Sequence, residues 1–298
     1  MYLYHYSMHQ LPFGLTPDTH FFHPSQTHIE ALNVLNFAIS SGEAIVKITG
    51  DVGSGKTMLC RMLLNQLEPE YFVAYIPYSK LSPIEMLHSL AIELGIKIRH
   101  SVTQDRLSQR IQNRLISLNK KYQSVVLLID EAQLIDDACL EIIRLFTNIE
   151  TEQKKLIQIV LFGQEELDIK LQQRHLRQIN QRIAFSYHLS PLSLGEISNY
   201  VHARLSKSQS CTIVISIFAH LLLRLYSKGV PRLINILCHK SLLLSFGKNR
   251  RKITARDILL AAKDTESVNT FVQDHLSLFV IFWAIFVSGS AMAVWGSL

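Results

Sequence analysis

Cysteines are few in this sequence, and nothing in their spacing joins them. Cys60, Cys139, Cys211 and Cys238 are widely scattered, form no C-x-x-C pair and have no neighbouring histidine at metal-ligand spacing. This pattern indicates neither a disulfide framework nor a zinc site, and it predicts reduced, buried thiols. Internal repeats and low-complexity tracts are absent from the sequence as well, which excludes a solenoid.

Charged residues are also scarce. They make up 18% of the chain against 48% hydrophobic residues, which leaves no room for long disordered segments. The N-terminus has neither a basic stretch nor an uninterrupted apolar run, so we expect no signal peptide and a cytoplasmic body. The net charge of +6 is compatible with a nucleotide, a nucleic acid or phospholipid headgroups as a partner.

Short apolar runs alternate with amphipathic stretches as far as residue 190. The runs with β character lie at 44–49, 72–77, 125–130, 156–162 and 184–189. Helical patterns fill the gaps at about 57–67, 82–95, 104–118, 137–149 and 174–182. This alternation, with strands that are apolar nearly throughout, predicts an α/β fold whose parallel sheet is covered by helices on both faces.

Domain boundaries follow from changes in this pattern. Residues 1–27 are rich in aromatic residues, histidine and proline, and they predict an irregular leader lying over the domain surface. The α/β domain is predicted over 28–190, a small all-helical domain over 191–265 and a polar, acidic linker over 266–275. The helical patterns of the second domain lie at about 193–206, 213–227, 231–246 and 254–263.

A phosphate-binding loop is the most specific motif in the chain. Residues 50–57, GDVGSGKT, match G-x-x-x-x-G-K-[ST] in full, between a predicted strand and a helical pattern. Glycines let such a loop wrap its N–H groups round phosphates, and the helix dipole adds to the attraction. We expect Lys56 to bridge the β- and γ-phosphates of ATP and Thr57 to ligate Mg²⁺. The predicted nucleotide contacts here are Gly50, Asp51, Val52, Gly53, Ser54, Gly55, Lys56, Thr57 and Met58.

Two carboxylates end a separate apolar strand. The run VVLLID at 125–130 is followed directly by Glu131. We expect Asp130 to help hold Mg²⁺, and Glu131 to polarise the water that attacks the γ-phosphate. An acidic pair after a strand is by itself usually only a turn, but together with the phosphate-binding loop it predicts ATP hydrolysis.

With these motifs the sequence resembles the AAA+ ATPases, and among them the ExeA/GspA general-secretion family and its relatives in mannose-sensitive haemagglutinin pilus biogenesis. The resemblance runs from YHYSMHQLPFGLTPD through GDVGSGKT and LLIDEAQ to GVPRLINILC, and covers most of residues 2–265. It implies a P-loop NTPase (AAA+) fold with a helical lid domain, at the bacterial inner membrane. It also implies a ring-shaped homo-oligomer whose partners are pilus or secretion-system inner-membrane proteins.

The resemblance implies further site residues. The strand at 156–162 leads to Gln164, in the place of a polar sensor on the γ-phosphate side. The run LRQINQRI resembles the stretch that carries an arginine finger for the neighbouring subunit, with Arg182 favoured and Arg177 as the alternative. The run GVPRLIN resembles the motif in which an arginine of the lid, here Arg232, points to the nucleotide. The alternative for Arg232 is a surface arginine at a helix start.

The end of the sequence is a long apolar run. Residues 276–295 carry no charge. A helix of about 20 residues spans about 30 Å, the hydrocarbon thickness of a bilayer, so we expect a transmembrane helix. The alternative is a hydrophobic helix docked in a protein groove. The resembled general-secretion proteins continue into a peptidoglycan-binding region, which we do not expect here, and this favours the pilus-associated relatives.

Functions of different classes stay open at this point. The first is an assembly ATPase for a type IV pilus or a type II secretion apparatus, and the second is a nucleotide-gated membrane scaffold. The third is a DNA-binding AAA+ ATPase. The basic cluster Lys248, Arg250, Arg251 and Lys252 favours a solvated loop over contact with anionic lipid or DNA. A small-molecule kinase is disfavoured by the expected sensor and finger arginines.

Overall fold

The computed structural model describes residues 2–16, 18–67, 69–77, 80–98, 103–152, 154–208 and 213–268. Within them the chain folds as two units. Residues 18–190 form an α/β unit, and residues 191–268 form a helical unit together with residues 2–16 from the other end of the chain. The chain therefore crosses between the units twice.

The strands and helices are numbered in chain order. The strands are β1 (Ile45–Gly50), β2 (Phe72–Ile76), β3 (Val125–Ile129), β4 (Ile157–Gly163), β5 (Ile183–Leu189), β6 (Val214–Ile215) and β7 (Lys252–Ile253). The helices are α1 (Tyr2–His5), α2 (Gln26–Ser40), α3 (Lys56–Leu67), α4 (Pro83–Glu93), α5 (Gln104–Leu118), α6 (Asp137–Phe146), α7 (Glu165–Leu171), α8 (Arg177–Asn180), α9 (Leu194–Lys207), α10 (Ile217–Ser227), α11 (Pro231–Gly247) and α12 (Ala255–Lys263).

A parallel sheet forms the centre of the α/β unit. Its strand order is β2-β3-β4-β1-β5, and every neighbouring pair is parallel. The central strands β3, β4 and β1 are buried along their whole length, as strands covered on both faces must be. Each of the five strands begins and ends within one residue of its predicted position. The predicted α/β class is confirmed.

Helices cover both faces of this sheet. On one face α2 and α3 pack against the sheet through a cluster that includes Leu35, Leu59 and Phe162. On the other face α4, α5 and α6 pack through a second cluster that includes Leu90 and Ile111. Because β1, β3 and β4 end at the same edge of the sheet, the segments that follow them meet there.

Helix α7 departs from the sequence expectation. Its seven residues are too few for a helical period to show in the sequence. Gln164 is its N-cap, and three acidic residues occupy its first turn, where carboxylates interact favourably with the helix dipole. The helix expected over 174–182 is divided into a 3-10 turn at Arg174–Leu176 and the short α8.

The helical unit contains a small element that was not expected. Its helices α9 to α12 correspond to the four predicted patterns, but the unit is not all-helical, because β6 pairs with β7 in a parallel register. Strands of two residues are too short to produce an alternating pattern. The pairing brings the start of α10 beside the turn that follows α11, since the Val214 amide donates to the Arg251 carbonyl at 3.1 Å.

The leader also differs from its expected form. Rather than lying irregularly over a surface, residues 2–16 begin with α1 and contribute Tyr2, Tyr6, Met8 and Phe13 to the core of the helical unit. The Tyr6 hydroxyl donates to the Arg250 carbonyl at 3.0 Å. Aromatic residues whose sequence context predicts a surface segment therefore complete a hydrophobic core.

Several predicted features fall on residues that the structure does not describe. The apolar run at 276–295, most of the linker before it and Cys211 lie outside the described residues. In the described part of the chain, none of the helices combines the length and the apolar character needed to cross a bilayer. Cys60, Cys139 and Cys238 are buried free thiols, as expected.

Candidate nucleotide-binding site

The phosphate-binding loop joins the end of β1 to the start of α3. Gly53 and Gly55 have φ values of +82° and +105°, which side chains other than glycine rarely adopt. The loop curls round the Lys56 ammonium, which donates to the carbonyls of Gly50 at 2.7 Å and Asp51 at 2.8 Å. Burial lowers the pKa of Lys56, and the nearby carboxylates, Glu131 first among them, act against this shift.

A histidine on α2 packs directly against this loop. The Nε2 atom of His28 lies 3.1 Å from the Ser54 carbonyl, and its Nδ1 atom lies 2.5 Å from the Ser25 hydroxyl. A Cβ atom on Gly55 would lie 2.7 Å from His28 Nε2, so the ring fills the space that a side chain there would need. The sequence analysis identifies residue 28 only as the start of the predicted α/β domain and assigns His28 no role in the site.

The loop and the acidic strand end are joined by a hydrogen bond. The Thr57 hydroxyl donates to Asp130 Oδ2 at 2.7 Å, and the Glu131 amide donates to Asp130 Oδ1 at 2.9 Å. Burial raises the pKa of Asp130, while these two hydrogen bonds oppose the rise. The structure thus brings together the two residues that the sequence assigns to Mg²⁺.

The carboxylate of Glu131 is held by two amide side chains. Glu131 adopts the left-handed conformation at φ 51° and ψ 40°, directly after the end of β3. Its Oε2 atom accepts from Gln133 Nε2 at 2.6 Å and from Gln164 Nε2 at 3.2 Å. The main-chain N–H of Gln164 in turn donates to Gln133 Oε1 at 3.1 Å. Gln133 therefore links the ends of β3 and β4, a role that its place in the sequence did not reveal.

The arginines expected near the nucleotide have different surroundings. Arg182, just before β5, is half-buried and donates to the Thr147 hydroxyl of its own chain at 2.8 Å. Arg177, at the start of α8, is exposed. Arg232 is exposed at the second residue of α11, in the helical unit. Lys56, Thr57, Asp130, Glu131 and Gln164 form one connected site within the α/β unit.

Comparison with known proteins shows which family of proteins this chain is related to. A family model described as AAA domain matches residues 39–171. General secretion pathway protein A of Aeromonas hydrophila is 36% identical over 268 residues, which cover 90% of this chain and 49% of that protein. The chain belongs to the same AAA family as that protein. It spans about half the length of this curated relative.

Three solved structures of other proteins share the fold of this chain. CDC6P of Pyrobaculum aerophilum is 16% identical, with a TM-score of 0.66 over 85% of this chain and 70% of its own. The ORC2 protein of Aeropyrum pernix, solved as ADPNP-ADP complexes, is 14% identical, with a TM-score of 0.63 over 84% and 72% of the two chains. The RuvB branch migration motor of Thermotoga maritima is 15% identical, with a TM-score of 0.50 over 80% and 69%. At these identities the likeness shows the fold alone.

Proposed function

We propose that this chain binds ATP with Mg²⁺ at the ends of β1, β3 and β4 and hydrolyses it. The N–H groups of the loop and Lys56 hold the phosphates, and Thr57 and Asp130 hold the metal ion. Glu131 orients and activates the attacking water. Gln164, which is hydrogen-bonded to Glu131, senses the γ-phosphate.

One observation carries this proposal. Thr57 and Asp130, 73 residues apart in the chain, share a hydrogen bond of 2.7 Å. A hydroxyl and a carboxylate are the hard oxygen ligands that Mg²⁺ takes beside substrate phosphates, so the pair fits the ion. The buried Ser54 hydroxyl in the loop has no hydrogen-bond partner among the described residues, and it is a suitable donor for a phosphate oxygen.

The test is ATP binding and phosphate release by the purified full chain, with and without Mg²⁺. We expect Lys56→Ala to abolish ATP affinity, because the buried ammonium is the principal cation of the loop. Glu131→Gln is expected to keep the affinity and to lower turnover on the order of 10²- to 10⁴-fold. Lys154→Ala and Glu141→Gln serve as matched controls outside the site. Unchanged ATP affinity in Lys56→Ala would refute the proposal.

We further propose that the active form is a homo-oligomer in which an arginine reaches the γ-phosphate bound by the neighbouring subunit. Arg182 is the favoured finger and Arg177 the alternative, whose exposure on α8 suits a contact in trans. Arg232 is proposed to contact the nucleotide from the helical unit. The same assay decides between the fingers, because the true one loses turnover on replacement by alanine and keeps ATP affinity.

The cellular role we propose is assembly of a secretion apparatus or an MSHA-like type IV pilus at the bacterial inner membrane, with inner-membrane proteins of that apparatus as partners. Kinship to general secretion pathway protein A supports the secretion context. The apolar run at 276–295 supports attachment to the membrane. In cells, Glu131→Gln separates a motor, which loses all function, from a nucleotide-gated scaffold, which stays functional when locked with ATP.

A further inference from the structure

Positive charge is concentrated in the helical unit. Residues 191–268 contain twelve Lys and Arg against four Asp and Glu, whereas residues 18–190 contain eighteen against nineteen. Between Glu196 and Asp257 the sequence has eleven cations and no acid. An extended anionic surface would therefore be attracted more strongly to this unit than to the nearly neutral α/β unit.

Helix α10 of the same unit has an exposed apolar side. Ile217, Phe218, Leu221 and Leu225 follow one another at helical spacing and are 42% to 74% exposed. The opposite side of the helix is buried in the core of the unit through Ala219, Leu223 and Tyr226. Large apolar side chains arranged as one exposed stripe indicate a binding surface.

Cations lie at both ends of this stripe. At its N-terminal end the pairing of β6 with β7 brings the exposed Arg251 and Lys252 beside α10. At its C-terminal end Arg224 follows Leu221 at helical spacing, and the exposed Lys228 is the C-cap of the helix. Half of the basic cluster at 248–252 thus belongs to this surface. The other half, Lys248 and Arg250, is engaged by buried Asp257 inside the unit.

We propose that the exposed side of α10 lies on the surface of an anionic lipid bilayer, with its apolar side chains in the interface and these four cations at the headgroups. Such a combination is the signature of a helix that lies in a membrane interface. Protein surfaces that bind nucleic acid are more polar than protein–protein interfaces, and an exposed apolar stripe does not suit them. Lipid is therefore the better partner for this surface.

The length of chain beyond the described residues agrees with this placement. The inference rests on the proposed membrane attachment through residues 276–295. Only seven residues separate that run from Val268, which is buried in the core of the helical unit. A fully extended segment of that length spans at most about 25 Å. The unit that carries the stripe is therefore the one kept close to the bilayer.

Tryptophan fluorescence in the full-length protein tests the inference. The sequence has two tryptophans, Trp283 and Trp295, both in the apolar run, so the unchanged chain reports on the run alone. In a Trp283→Phe, Trp295→Phe background, Phe218→Trp reports on the stripe. Phe37→Trp is the matched control, because Phe37 is equally a phenylalanine and is 60% exposed on α2, against 67% for Phe218.

The probe is a vesicle of phosphatidylglycerol and bromine-labelled phosphatidylcholine in equal parts. We expect Phe218→Trp to be quenched and Phe37→Trp not to be. Adding Arg251→Gln and Lys252→Gln should weaken docking of the stripe on the order of 10-fold or more, since each cation near an anionic surface contributes about 1 kcal/mol, or about 5-fold.

Distinct results would overturn the inference. If the unchanged chain is quenched and Phe218→Trp is not, the proposed membrane attachment is retained and the docking of α10 on the bilayer is refuted. A blue shift of Phe218→Trp emission without vesicles assigns the stripe to a second copy of the chain. A shift on duplex DNA, but not on vesicles, assigns the surface to nucleic acid. Quenching of Phe218→Trp when the unchanged chain is not quenched supports the surface and refutes the tail attachment.

Discussion

At the residue scale, Gln133 decides how the carboxylate of Glu131 is presented. Its amide group donates to Glu131 and accepts from the main chain of Gln164. Both amide side chains donate to the same oxygen of the carboxylate, Oε2, and so help to fix its orientation. A base that must face a water molecule depends on such orientation, because small misplacements lower the rate steeply.

We therefore expect Gln133→Met, which has a similar shape and neither hydrogen bond, to lower ATP turnover on the order of 10- to 100-fold. ATP affinity should be unchanged, because the hydrogen bonds that the structure describes for Gln133 go to Glu131 and Gln164 and not to the loop or the metal ligands. Steady-state turnover and equilibrium ATP binding separate the two effects. Gln109→Met, on the exposed side of α5, is the control. Equal loss of affinity and turnover would instead indicate a general structural role for Gln133.

At the scale of elements, the buried carboxylate of Asp257 joins α12 to the turn after α11. It accepts from Lys248 at 3.1 Å and from Arg250 at 2.8 Å, and it also accepts from the main chain and hydroxyl of Thr254. Burial by itself would raise the pKa of Asp257, but these partners outweigh it and the pKa lies below its usual range. The ionised form is therefore the one that the folded unit binds.

This network predicts acid sensitivity of the helical unit. Since the pKa of Asp257 is lower in the folded than in the unfolded state, its contribution is complete above about pH 4 and is lost as the pH falls through the folded-state value. We expect Asp257→Asn to destabilise the unit by about 1–3 kcal/mol near pH 7, because the cations lose their partner. Amide exchange in α12 measures this loss, which should shrink toward low pH. Asp264→Asn, at an exposed acid, should cause little change.

The strands of the large sheet could be predicted from the sequence, whereas the shortest elements could not. Apolar runs locate all five strands of the large sheet within one residue. For β1, β3 and β4 the reason is that strands buried on both faces are mostly apolar. The hydrophobic pattern of the sequence does not predict the helix α7 or the strands β6 and β7, because these elements are too short to show a period. Likewise His28 and Gln133 reach the site through contacts with residues distant in sequence, which no local pattern encodes.

For the whole molecule, the decisive feature is that both ends of the described chain build one core. Tyr6 is 1% exposed, and its hydroxyl donates to carbonyls on and after α11, whereas its neighbour Tyr4 is 94% exposed. We expect Tyr6→Ala to destabilise the helical unit by about 3–5 kcal/mol, as for other buried aromatic side chains. Tyr4→Ala should have little effect.

Amide exchange across the chain measures both variants. Protection should fall in α11 and α12 for Tyr6→Ala, while the strands of the α/β unit, whose core lies elsewhere, should keep theirs. Loss of protection in β1 and β3 alone would contradict this assignment of the leader. The composition of the leader pointed to a loose surface segment, because prolines and histidines mask the burial of Tyr6 and Phe13.

The double crossing between the units governs the order in which the protein forms during synthesis. Residues 18–190 are continuous, so the α/β unit can fold as soon as they leave the ribosome, in keeping with the domain-by-domain folding of nascent chains. The leader leaves the ribosome before that unit but must wait for α11, since Tyr6 and its partner Leu242 are 236 positions apart. Its aromatic side chains therefore remain open to water and to chaperones until α11 has been made.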